Sequence, residues 1–176
     1  MKPIRIAAAI LAGSAALVAM PVLADPPVMN SSPTTTTMGV SLTVVDECLI
    51  GVDAPLAFPS WGIFNEDIDA TTTLTVQCTK RSPYTIGFDK GTVGTAVNAR
   101  QMLSGSDKVS YQLFRDANRT DNWGNTKGTD TLSAASAAGS NETITVYGRV
   151  PTGQNVPKGS YADTVTATIW YGADWP

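Results

Sequence analysis

The chain has 176 residues, 43% hydrophobic and 15% charged, with 15 glycines, 11 prolines, two cysteines and no histidine. This is one domain's length with enough apolar content for a core, and the lack of histidine excludes Ser-His-Asp and Cys-His nucleophiles and the usual zinc and blue-copper ligand sets. The formal charge of −3 becomes −5 when Lys2 and Arg5 are set aside with the leader, and with no basic block neither nucleic acid nor an anionic membrane is an expected partner.

Residues 1–24 read as a secretory signal. Lys2 and Arg5 form a basic start, residues 6–20 an apolar run too short to span a bilayer comfortably, and Pro21, Val22 and Ala24 a cleavage site. The mature chain is expected to begin at Asp25 and to be exported to the periplasm. No later apolar run has the length of a membrane helix. In an oxidising compartment Cys48 and Cys78 are expected to form one disulfide. Closing a loop of about 30 residues is worth roughly 3–4 kcal/mol on the chain-entropy account.

Residues 25–37, DPPVMNSSPTTTT, contain three prolines and a Ser/Thr run, the composition of a flexible leader. In residues 38–45, Met38, Val40, Leu42 and Val44 alternate with Gly39, Ser41 and Thr43. A period of two puts the apolar set on one face of an extended strand. Two readings stand: the first strand of the chain's own sandwich, or a strand that leaves its domain and completes a neighbour's sheet. Residues 55–61, PLAFPSW, suit an edge strand or strand end because Pro59 interrupts them. Glu66, Asp67 and Asp69 lack the glycine and bidentate glutamate of a calcium loop and read as a solvated acidic loop.

Further strands are expected at residues 71–78, with Leu74, Val76 and Cys78 on one face, and at 83–89, with Tyr84, Ile86 and Phe88. Residues 79–82 would join them as a hairpin. A short strand fits residues 100–103. Residues 108–116 follow with Val109, Tyr111 and Leu113 inward, and 142–150 with Ile144, Val146, Gly148 and Val150. Residues 90–99, 117–131 and 132–141 read as loops, and Tyr111, Trp123 and Tyr161 as packing aromatics. The strongest pattern is in residues 161–171, with Val165, Ala167, Ile169 and Tyr171 facing one way. No segment keeps a helical period over ten residues. Short β-runs between Gly/Pro/Asn/Ser turns in an exported, disulfide-bonded chain predict an all-β, antiparallel sandwich.

Catalysis finds no support in these residues. Asp46 and Glu47 are adjacent and would point to opposite faces of an extended segment. The acidic residues lie mainly in turn-like stretches rather than as a glycosidase pair, and the glycines after Asp89 precede no helix that could hold a phosphate. A structural or binding protein without cofactor or metal is expected.

From Tyr111 onward the sequence resembles the spore coat protein U domain family, which includes archaic chaperone–usher pilins. The residues that carry the resemblance are YQLFRDANRT (111–120), Trp123-Gly124 and VYGRVPTGQNVPKGSYADTVTATIWY (146–171), with the alternating stretch before Cys48 and the LTVQC cysteine adding to it. The resemblance implies an immunoglobulin-like sandwich missing its last strand over residues 38–176, with the chain ending five residues after the strong pattern. A periplasmic chaperone would lend the strand, and the N-terminal extension of an identical or related subunit would replace it at an outer-membrane usher, by β-augmentation. Met38, Val40, Leu42 and Val44 would be the donor residues, or the donor would begin upstream within residues 28–37. Val165, Ala167, Ile169 and Tyr171 would form the acceptor edge. The implied product is a surface pilus serving adhesion and biofilm formation; a self-complete secreted module or coat component is the competing reading.

Overall fold

The computed structural model describes residues 32–134 and 137–174; the signal segment, the leader before residue 32 and Trp175 lie outside them. The chain divides into two units, Met1–Ser41 and Leu42–Pro176. In the first, residues 32–41 carry no helix or strand and are exposed.

The second unit is all-β. Its strands are β1 (Cys48–Val52), β2 (Ile68–Cys78), β3 (Tyr84–Phe88), β4 (Arg100–Ser104), β5 (Asp107–Phe114), β6 (Leu132–Ala134), β7 (Glu142–Val150) and β8 (Ala167–Tyr171), followed by a 3-10 turn, Gly172–Asp174. A five-stranded sheet runs β1-β2-β7-β5-β4 and a three-stranded sheet β6-β3-β8, with every pairing antiparallel. The two inner faces share one core containing Leu74, Val76, Ile86, Val109, Tyr111 and Val146, so the expected antiparallel sandwich is the observed architecture. The inward sets expected on β2, β5 and β7 are buried or half-buried, because alternation fixes which face meets the opposite sheet.

Several expectations are corrected. Residues 38–45 have the alternation of a strand but form none, since a ladder needs a partner and the described chain offers none there. Residues 55–61 are likewise irregular. β2 and β3 are not a hairpin: β2 pairs with β1 and β7, β3 with β6 and β8, and residues 79–82 carry the chain from one sheet to the other. A turn there bonds Ser82 N–H to the Thr79 carbonyl, with Arg81 at φ 71°. Residues 132–134, read as loop, form β6, and β1 was not expected; both strands are short and patterned too weakly to stand out.

The longest expected strand is also cut. Only Ala167–Tyr171 of residues 161–171 lies in a ladder, so Val165 falls outside β8. Upstream, Ala162 exchanges both backbone hydrogen bonds with Leu103 of β4, at 2.9 and 3.1 Å, before the chain crosses to β3. One segment thus serves both sheets, and the period-two pattern survives the crossing because its inner side faces the same core throughout.

Candidate functional site: an apolar cleft between the sheets

β8 pairs with β3 and β1 with β2, each on one side; among the described residues the other edge of each carries no strand. Unpaired edges of this kind are templates for another chain. Between the sheets a cleft of about 390 Å³ opens. Leu74, Tyr111, Leu113 and Val146 of the five-stranded sheet form its floor, and Phe88 and residues 161–165 form one wall. Val52, Leu56 and Phe58 also line the cleft. The lining is mostly apolar, which suits apolar side chains rather than a charged ligand.

The wall is fixed by carboxylates. Asp163 accepts hydrogen bonds from the Tyr111 hydroxyl at 2.8 Å, the Thr92 hydroxyl at 2.6 Å and the Thr92 N–H at 2.9 Å. Burial alone would raise its pKa, but these donors overcome that and hold it below the usual carboxylate value. Burial, and then the same contact, push the Tyr111 phenol well up. Asp89 accepts from Gly91 N–H and Thr166 N–H, both at 2.9 Å, pinning the start of β8. Gly91 has φ +75°, and a side chain there would strike the Asp163 carboxylate, so glycine is required twice over.

Beneath the wall lies Arg100, fully buried. Its guanidinium donates to four main-chain carbonyls, those of Asp89, Val97, Phe88 and Trp123, at 2.6–2.9 Å. Trp123, also fully buried, donates from its indole to the Ile86 carbonyl and stacks edge-on against Phe88. Tyr111 and Trp123 are thus packing aromatics. Tyr161 is half-buried and bonds the Pro157 carbonyl at 2.8 Å.

The residues singled out in the sequence fall into separate places. Cys48 and Cys78 are bonded and buried, clamping β1 to β2. Ala167, Ile169 and Tyr171 are half-buried on β8, and Val165 lines the cleft. Met38, Val40, Leu42 and Val44 are 71–87% exposed. Asp67 and Asp69 sit on the outer surface and pair with Arg149, and Asp69 also with Arg119. Sequence reasoning missed Arg100, Asp89 and Asp163, whose roles depend on carbonyls and hydroxyls brought together from distant segments.

Known proteins resemble the chain in sequence and in fold. The sequence model of the Spore Coat Protein U domain matches residues 34–168. "Protein U" of Myxococcus xanthus is 31% identical over 187 aligned residues, covering 97% of this chain and all of that protein. The crystal structure of the CsuC-CsuE chaperone-tip adhesion subunit pre-assembly complex, from archaic chaperone-usher Csu pili of Acinetobacter baumannii, contains a chain of similar fold. That match has a TM-score of 0.53 at 21% identity and covers 72% of this chain, which spans 40% of the solved one. With a family match over most of its length and a relative aligned end to end, the chain belongs to the spore coat protein U domain family.

Proposed function

We propose that this protein is a structural subunit of a chaperone–usher surface pilus that polymerises by donor-strand exchange. The observation that carries the proposal is a complementarity within one chain. An apolar cleft is lined by residues 161–165, which lead directly into the open-edged strand β8, while Met38, Val40, Leu42 and Val44 stand in solvent at alternate positions. A strand laid along β8 from another copy would satisfy the open backbone edge and place every second side chain in the cleft. Burying four such side chains contributes about 6–12 kcal/mol, at about 1.5–3 kcal/mol each, before the cost of ordering the donor.

An open edge beside apolar surface is an aggregation hazard in a free subunit. A periplasmic chaperone that lends a strand removes the hazard, and an outer-membrane usher exchanges it for the next subunit's donor. The solved complex of similar fold pairs a chaperone with a pilus subunit, which supports this order of events. Adhesion and biofilm formation are the roles that such a fibre would serve. The protein acts by assembly, not by catalysis.

The test is an unheated SDS gel of the mature protein recovered from the periplasm, run beside a boiled sample. A ladder that collapses to monomer on boiling is expected, and Leu42→Asp, which puts a charge into the inserted face, should shorten it. A single monomer band in both lanes from folded, chaperone-free protein would overturn the proposal and leave a self-complete secreted module or coat component.

A further inference from the structure

Residues 55–60 alternate like a strand without being one. Leu56 and Phe58 are half-buried against the core, while Pro55, Ala57 and Pro59 are exposed. Among the described residues no backbone hydrogen bond ties residues 55–60 to either sheet. Pro55 and Pro59 have no N–H to offer, so the segment cannot pair along its length. What holds it is side-chain packing. Phe58 meets Tyr111 edge-on, with ring centroids 6.4 Å apart. Both side chains also lie over Gly148 of β7, where a Cβ would stand 2.5 Å from Leu56 Cδ2 and 3.0 Å from Phe58 Cζ. Both line the apolar cleft.

The segment therefore offers the cleft two alternate apolar side chains and no backbone pairing. An incoming donor would offer four side chains and a ladder along β8. We infer that Leu56 and Phe58 form a built-in plug, which covers part of the cleft floor in the donor-free subunit and is displaced when a donor strand enters. The inference rests on the donor-strand reading and adds a regulatory step to it. Packing without hydrogen bonds gives a contact that shields apolar surface yet comes away in one motion, since no ladder must be unzipped. The bare glycine beneath gives the two side chains a seat.

The experiment follows the rate of ladder formation by the purified full mature chain on unheated gels. It compares wild type with Leu56→Ala/Phe58→Ala, with Gly148→Ala and with Phe58→Leu. Removing the plug side chains, or filling their seat from below, should raise the initial rate several-fold, whereas Phe58→Leu, which keeps an apolar knob, should leave it near wild type. Nuclear Overhauser effects between the Phe58 and Tyr111 rings, in contact in the free subunit, should disappear when a peptide of residues 34–45 occupies the cleft. Amide protection along β2 and β5 verifies that each variant is folded.

Unchanged or slower polymerisation in the folded variants, with the Phe58–Tyr111 ring contact retained when the peptide is bound, would make Leu56 and Phe58 a permanent wall and overturn the plug alone. A wild-type chain that never forms a ladder would overturn the donor-strand reading and the plug with it.

Discussion

Single residues set the shape of the cleft wall. Among the described residues Arg100 has no carboxylate in direct contact; its charge is spread over four carbonyls, and the bonds to Phe88 and Trp123 are buried. Burial lowers its pKa, while nearby Asp89, Asp130 and Asp163 push the other way. Arg100→Met should lower stability by roughly 2–6 kcal/mol, because each of the two buried acceptors it strands costs about 1–3 kcal/mol; a urea midpoint at constant slope measures it. Arg100→Lys should recover only part, since an ammonium cannot reach the same fork of carbonyls.

Asp163 makes a pH prediction. Its folded pKa lies below the unfolded value of about 3.9. Its contribution is therefore fully present above that value and fades as pH falls through the folded pKa. Asp163→Asn should thus be less stable than wild type at pH 7, with the gap closing towards pH 2–3 in paired denaturant titrations. A constant gap across that range would assign the loss to packing instead.

At the scale of elements, β1 is an edge strand whose support is partly covalent. It pairs on one side only, exposes Leu49 and Val52, and is joined to β2 by the Cys48–Cys78 bond at its first residue. Replacing both cysteines by serine should destabilise the subunit by about 3–4 kcal/mol on the chain-entropy model. Loss of amide protection should appear in β1 before β7, which is paired on both sides. The end of the β5 ladder shows another kind of support. Beyond the last β7 pair, the Gln154 side chain accepts from Ser110 N–H at 2.7 Å and donates to its carbonyl at 3.0 Å, standing in for a strand. Neither arrangement follows from a local pattern.

At the scale of the whole molecule, two sheets share a core whose cleft is lined by Val52 of β1 and by residues 161–165 ahead of β8. If the next subunit's donor fills that cleft, a chain lacking residues 38–45 keeps the acceptor and loses the donor. Mixed with wild-type subunits, it should shorten the fibres in proportion to its share, as a cap that accepts but cannot extend. Ladder length against mixing ratio measures this, and a length independent of the ratio would argue that residues 38–45 are not the donor.

The sequence by itself determined the features that depend on neighbours two residues apart. Alternation in residues 71–78, 108–116 and 142–150 identified inward faces, because a strand's sidedness is local. The cysteine pair needed only export and a count of two. Which strand pairs with which was decided by tertiary structure. Residues 79–82 look like a hairpin turn yet change sheets, and residues 161–171 look like one strand yet serve two, because hydrogen-bond partners come from distant segments that leave no trace in the local pattern. Arg100 and Asp163 were illegible for the same reason. Their partners are carbonyls and hydroxyls set by the fold, and a sequence shows that a polar group exists without showing what the packed chain will bring to meet it.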